Sequence, residues 1–237
     1  MAGNPQTIWR NLLKWADAHD GGSYLFRGQG DASPVVPKIA RPEYGYSLSR
    51  ELDLFASFKS RARPFLDVAV ATDWEWMALA QHHGAPTRLT DWTTSPLVSA
   101  WFAVSSHPHD QDAMLYALEI ERSDLSRIDT SNGKVSNGSR FEGPLEPTKG
   151  VYLIETSPVS SRITTQRGLF ALHGDPEVPL NIPTAQQFTI PKAARDIVRN
   201  KLLGFGIEAS HIFPDLDGLC KSMDWRMRAG IGFQALI

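Results

Sequence analysis

Apolar residues recur with helical spacing in the first third of the chain and in short runs after it. Gln6 to Ala18 puts Ile8, Trp9, Leu12, Leu13 and Ala16 on one face. Leu48 to Ala62 does so with Leu52, Phe55, Ala56 and Lys59, and Trp74 to His82 with Trp74, Met77, Ala78 and Gln81. His19-Asp20-Gly21-Gly22 stops the first helix, and Gly84 with Pro86 stops the third. Short β-prone runs lie at Ser23–Phe26, Leu115–Ile120, Gly150–Ile154 and Leu169–His173. Ser33 to Arg41, with Pro34 and Pro37, reads as an extended loop, and Phe65 to Thr72 fits either element. Thr189 to Leu203 predicts a helix with Ala194, Ile197, Val198 and Leu202 inward, ended by Gly204 and Gly206. Ile212 to Asp215 leads into a short helix to Met223 with Leu216, Leu219 and Cys220 buried. The apolar tail from Ile231 reads as a last strand or a frayed end. Residues 122–148 are poor in apolar side chains and too long for an ordinary connection, which predicts a lid, an insertion or a mobile loop. Helices first and strands afterwards, without regular alternation, predict an α+β fold with N-terminal helices on a mostly antiparallel sheet.

The stretch from Ala80 to Ser105 (AQHHGAPTRLTDWTTSPLVSAWFAVS) departs from these patterns. Its middle crowds His, Arg, Asp, Thr and Trp together and reads as a polar, site-like loop rather than a core element. Its end is a helix start. Thr94 or Ser95 serves as N-cap, Pro96 takes the first helical position, and Leu97, Val98, Trp101 and Phe102 form an apolar face. Upstream, the run ending at Phe26 delivers Arg27-Gly28-Gln29-Gly30-Asp31. That aims one cation from a strand end, and Gly28 permits close approach of another backbone or a ligand.

Composition narrows the function classes. The 237 residues suffice for a substantial core, and seven Trp point to aromatic-rich packing. A net charge of −2 gives no general nucleic-acid-binding face. The single cysteine, Cys220, excludes an intrachain disulfide and a Cys-based zinc site, so a cytoplasmic setting is expected. No apolar run approaches a membrane span and no basic-then-apolar leader opens the chain. No Gly-x-Gly-x-x-Gly or phosphate-binding loop is placed between a strand and a helix. His82 and His83 are adjacent on a helix and point apart, His107 and His109 sit in a proline turn, and no metal site is expected. Cys220 and Ser95 lack the surroundings of a nucleophile. Arg27, Arg88, Asp91, Thr93, Thr94 and Ser95 instead form a set suited to a phosphate and sugar hydroxyls, with Arg162 and Gln166 able to complete it. The alternative is an internal polar network in which Arg27 or Arg88 pairs with Asp91.

These residues carry a resemblance. Phe26-Arg27-Gly28-Gln29, Pro37-Lys38-Ile39-Ala40-Arg41 and Gln81-His82-x-Gly84-x-Pro86-Thr87-Arg88-Leu89-x-Asp91-Trp92-Thr93-x-Ser95-Pro96-Leu97-Val98 resemble the FRG domain. Arg162-Ile163-x-x-Gln166-x-Gly168-x-Phe170 and Phe213-Pro214-Asp215-Leu216-Asp217-Gly218-Leu219 fit its pattern as well. The likeness runs from about residue 24 to 223 of a single 1–237 domain. More distantly, the order of Arg27, Thr93–Ser95 and Gln166 is similar to ADP-ribosyltransferases, which implies a split sheet and NAD as substrate. It also implies catalytic roles for Arg27, Gln166 and Asp91, and NAD contacts from Arg27, Phe26, Gln81, His82, Thr87, Arg88, Trp92, Thr93 and Ser95. Trp92 or Phe26 would stack on nicotinamide. Gln166 stands where those enzymes usually carry glutamate, so either Asp91 or Glu155 supplies the negative charge, or the reaction is slow, or the pocket only binds. The family context implies a bacterial toxin or anti-phage effector, a protein, nucleic-acid or water acceptor, and an inhibitor protein as partner. The alternative is a non-catalytic module that binds a nucleotide or a partner through the same cleft.

Overall fold

A computed structural model of the chain describes residues 5–19, 23–66, 69–120, 125–129, 134–136, 141–146, 149–155 and 168–233. Among the described residues there are seven α-helices and one eight-stranded sheet. In chain order these are α1 (Pro5–Ala18), β1 (Tyr24–Gln29), α2 (Leu48–Ala62), α3 (Asp73–His82), β2 (Leu89–Thr93), α4 (Pro96–Ser105) and β3 (Ala113–Glu119). Then follow β4 (Leu125–Asp129), β5 (Lys134–Ser136), β6 (Val151–Glu155), β7 (Gly168–His173), β8 (Gln187–Ile190), α5 (Arg195–Gly204), α6 (Ala209–Ile212) and α7 (Leu216–Arg228). Strands β6-β7-β2-β1-β3-β8 make a wholly antiparallel open sheet. Beyond β6, β4 runs parallel to it, and β5 pairs with β4. The chain is therefore α+β, as the order of helix-like and strand-like segments indicates.

The sheet separates three apolar clusters. Strand alternation sends Leu89, Phe170, Leu172 and Ile154 to one face, where they pack with Phe55, Trp74, Trp76 and Met77 of α2 and α3. On the same face, Ala113, Leu115 and Ile190 pack with Leu12, Val98, Trp101, Val198 and Leu202 from α1, α4 and α5. The opposite face holds Leu25, Trp92, Met114, Tyr116, Leu153 and Ala171. It is closed by Val35 and Ile182, where residues 35 and 180 form an isolated bridge. One face thus carries two groups of helices with a gap between them over β1 and β2.

Local chemistry fixes the helices that border this gap. A capping box starts α3: Glu75 N–H donates to Thr72 Oγ1 at 3.2 Å, and the Thr72 N–H donates to Glu75 Oε2 at 3.0 Å. Gly84, at φ +79°, turns the chain after α3. Ser95 caps α4 by accepting from the Val98 N–H at 3.3 Å, with Pro96 in the first turn as its sequence predicts. Helix α4 lies directly on β1, because a Cβ on Gly28 would come within 1.9 Å of the Ser99 carbonyl oxygen.

Three expectations need correction. The polar middle of the central stretch is not a loop: Leu89–Thr93 is β2, in the interior of the sheet, with Thr90 1%, Trp92 2% and Thr93 4% exposed. Its hydroxyls are tolerated there because each has a partner. Trp92 Nε1 donates to Thr90 Oγ1 at 3.0 Å, Thr90 Oγ1 meets His173 Nε2 at 3.1 Å, and Thr93 Oγ1 accepts from the Ser95 N–H. The helix expected from Thr189 begins only at Arg195. Residues 187–190 are β8, since Pro191 ends the strand and Phe188 and Ile190 alternate inward. The described part of the 122–148 segment carries strands β4 and β5, as an insertion can. Finally, Leu216, Leu219 and Cys220 are exposed rather than buried, because α7 turns Gly218 and Ser222 inward. The tail beyond residue 233 lies outside the described residues. No helix among those described is long and apolar enough to cross a membrane.

Candidate functional site

A cleft of about 270 Å³ fills the gap between the two groups of helices. Its floor is β1, β2 and β7, through Phe26, Gly28, Asp91, Thr93 and Phe170. One wall is the end of α3, with Gln81 and His82, and the other is α4, with Ser99 and Phe102. Strands β1 and β2 share a single registered pair, Phe26 with Thr93, and the cleft opens where they part.

Arg27 and Asp91 meet at this parting. Arg27 Nε donates to Gln29 Oε1 at 3.1 Å, and its Nη1 donates to the Asp91 carbonyl oxygen at 2.9 Å. That bond satisfies a carbonyl the divergent strands leave off the ladder, and it holds the guanidinium at the cleft. Asp91 is the exposed residue of a strand whose other members are buried. Its Oδ2 accepts from Gln81 Nε2 at 2.8 Å. Gln81 Oε1 in turn accepts from Thr87 Oγ1 at 2.6 Å, and Thr87 Oγ1 accepts from the Leu89 N–H at 3.2 Å. The chain of bonds starts at a buried backbone group and ends on the carboxylate, which fixes the orientation of the Gln81 amide. Desolvation pushes the Asp91 carboxyl above its ordinary range, with Arg27 and the Gln81 bond opposing it. Desolvation likewise lowers the Arg27 guanidinium, against the attraction of Asp91. The site sets a cation and an anion near one another beside aromatic side chains.

The structure brings together most of the residues selected from sequence. Arg27, Phe26, Gln81, His82, Asp91, Trp92 and Thr93 all border the cleft. Three candidates do something else. Thr87 is 5% exposed and orients Gln81 from behind. Ser95 is the cap of α4. Arg88 is 1% exposed: its Nε and Nη2 bind the two carboxylate oxygens of Glu51 at 2.8 and 2.6 Å. Neither arginine forms the ion pair expected with the Asp91 carboxylate in the network reading, since Arg88 takes Glu51 and Arg27 takes the Asp91 carbonyl. Trp92, with its indole N–H committed to Thr90, belongs to the core on the far face, and Phe26 is almost as deeply buried. Gln166 and Arg162 lie outside the described residues, as does the side chain of Glu155.

Three bordering rings, Phe102, Phe170 and Phe213, were not selected from sequence. Phe102 reads there as part of a core helix face. Phe170 and Phe213 lie far along the chain, and only the fold gathers them. Glu51, 3% exposed on α2, has no warning in the sequence beyond a carboxylate in the first turn of a helix. Among the described residues no group of three or more His, Cys, Asp or Glu side chains is placed to hold a metal ion.

Behind the cleft floor, His173 is fully buried and its Nε2 faces the Thr90 hydroxyl. Burial, with Arg27 nearby, drives its pKa down to about 4. The unfolded chain titrates near 6.5, so between these values the unfolded state holds more protons and acid favours unfolding. The protein should lose about 2 kcal/mol of unfolding free energy from this group between pH 7 and pH 5. Urea unfolding at the two pH values checks this, and His173→Gln should show a flatter pH dependence whatever its stability at pH 7.

Residues 22–112 match the model of the FRG domain, a span that contains β1, β2, α3 and α4 and hence both walls and most of the floor of the cleft. No curated protein and no solved structure matches the chain.

Proposed function

We propose that the cleft of this FRG domain binds NAD or a related nucleotide. It breaks the bond between nicotinamide and ribose in the manner of an ADP-ribosyltransferase, as expected of a bacterial toxin or anti-phage effector. The observation that carries the reading is the convergence of Arg27 and Asp91 in one aromatic-walled cleft where β1 and β2 part. Arg27 is suited to the pyrophosphate, because a guanidinium supplies parallel donors to phosphate oxygens. Phe102, the partly exposed ring among those lining the cleft, offers a flat surface for a ring, with Phe26 and Phe170 buried beside it. When the C–N bond breaks, its electron pair leaves with nicotinamide and positive charge develops on the ribose. The Asp91 carboxylate, held by Gln81, is placed to oppose that charge. The nucleophile, on a macromolecule or water, then bonds to the sugar carbon and gives up its proton.

A second reading, a binding module without turnover, is favoured by the Gln81 bond, which already occupies one oxygen of the only carboxylate among the cleft's described lining residues. Thermal unfolding with and without NAD tests the shared premise. NAD should raise the melting temperature of the wild-type protein and leave Arg27→Ala unmoved. The absence of any shift in the wild-type protein would remove both readings for NAD and leave the cleft to another ligand.

A further inference from the structure

Helix α7 leaves one side uncovered. Leu216 is 77% exposed, Leu219 46%, Met223 47% and Met227 70%, and Cys220 is exposed with them. At 3.6 residues per turn these five fall in a stripe about 100° wide. The other side of the helix is anchored. The Ser222 hydroxyl accepts from the Ser210 N–H at 2.9 Å, Arg226 pairs with Glu208, and the Arg199 guanidinium lies 4.3 Å from the centre of the Trp225 ring. A single exposed leucine is ordinary on a protein surface, whereas an aligned row of large apolar side chains marks an interaction surface.

We propose that this stripe binds a second copy of the chain, with the two α7 helices antiparallel. The argument is the order of charges beside the stripe. Asp217, Lys221, Asp224 and Arg228 share one flank of the helix and run acid, base, acid, base from its N-terminus. In a copy turned end for end, Asp217 meets Arg228 and Lys221 meets Asp224 at one crossing point. Leu216 then lies within two residues, about 3 Å along the axis, of Met227 in the other copy. A parallel copy would turn this flank toward the partner's other flank and form none of these pairs, and antiparallel packing also opposes the two helix dipoles. Asp224 and Arg228 already pair within the helix, so the contact between copies extends an existing pair into a network. A 13-residue helix is about 20 Å long, and one such pair buries less than the roughly 800 Å² per partner of a standard interface. The dimer is therefore weak and reversible, with a dissociation constant on the order of 10–100 μM.

Sedimentation of the full chain over a concentration series spanning that range tests the proposal. The wild-type protein should pass from monomer to dimer. Met223→Glu and Asp217→Arg should each weaken association at least about tenfold, and Asp217→Arg combined with Arg228→Asp should restore it. These positions are exposed, so circular dichroism and melting temperature should stay as in the wild type. A short bis-maleimide should join two copies through Cys220, the chain's single cysteine, in the wild type and the double variant but not in Asp217→Arg. A protein that stays monomeric throughout, or a dimer indifferent to both charge reversals, overturns the proposal.

Discussion

Replacing Arg88 by methionine will lower the unfolding free energy by about 3–5 kcal/mol, and adding Glu51→Gln will recover most of that loss. Both side chains are almost wholly buried, at 1% and 3% exposure, and they share two bonds of 2.8 and 2.6 Å. Tyr46 Oη also donates to Glu51 Oε2 at 3.1 Å, and burial together with Glu51 raises the phenol to about 12. With Arg88 removed, Glu51 is left as a buried carboxylate supported by one neutral donor, and the desolvation cost is no longer offset. The added Glu51→Gln change removes that charge while keeping an acceptor for Tyr46. Urea unfolding of the two single variants and the double variant, at constant m, checks the cycle. Equal losses in the single and double variants would mean that the pair matters through packing rather than charge.

Arg195 is the second position where one substitution should be severe. Its side chain is 3% exposed, and its two terminal nitrogens reach six backbone carbonyls. Nη1 donates to Gly30, Pro108 and Gln111 at 3.1, 2.5 and 3.1 Å, and Nη2 to Ala103, Val104 and Ser106 at 3.0, 3.3 and 2.5 Å. One guanidinium therefore ties the end of β1 and the C-terminus of α4 to α5, with its positive charge at the negative end of the α4 dipole. A lysine carries three donors on a point-like head and cannot span this set. Arg195→Lys is expected to cost about 2–3 kcal/mol and Arg195→Met about 3–5 kcal/mol, because each leaves buried carbonyls without donors. Hydrogen exchange should accelerate first in residues 103–111. A uniform loss of protection across the molecule, or none, would show that these carbonyls do not depend on Arg195.

The two arginines show where the sequence was legible. Period and caps placed α2 from Leu48 to Ala62 and the start of α4 at Ser95-Pro96, because local chemistry decides both. The strand Leu89–Thr93 was hidden because its polar residues become acceptable only once β7 supplies His173 and the sheet supplies the ladder. Arg27 and Asp91 announced themselves as cleft residues through local pattern, a cation at a strand end and an acid in a polar run. Arg88 looked the same in sequence, yet it sits just before β2 and is drawn into a buried pair with Glu51 of α2, 37 residues earlier, which no local pattern announces. Nothing near Arg195 in sequence announces six carbonyls gathered from Gly30 and the stretch 103–111. The buried side of α7 was misjudged for a related reason. Leucine and cysteine favoured the core by type, but the small residues Gly218 and Ser222 let the helix come close to α6.

The most direct test of the central claim is nicotinamide release from NAD by the purified protein, set beside Asp91→Asn and Arg27→Ala. Release by the wild-type protein is predicted, with a fall of about 10²–10³-fold in Asp91→Asn while NAD still raises its melting temperature. For Arg27→Ala, loss of both release and NAD-dependent stabilisation is predicted. Release that survives in Asp91→Asn would contradict the role given to its carboxylate. An NAD-stabilised wild-type protein that releases nothing would contradict the transferase reading and leave the cleft as a nucleotide-binding site.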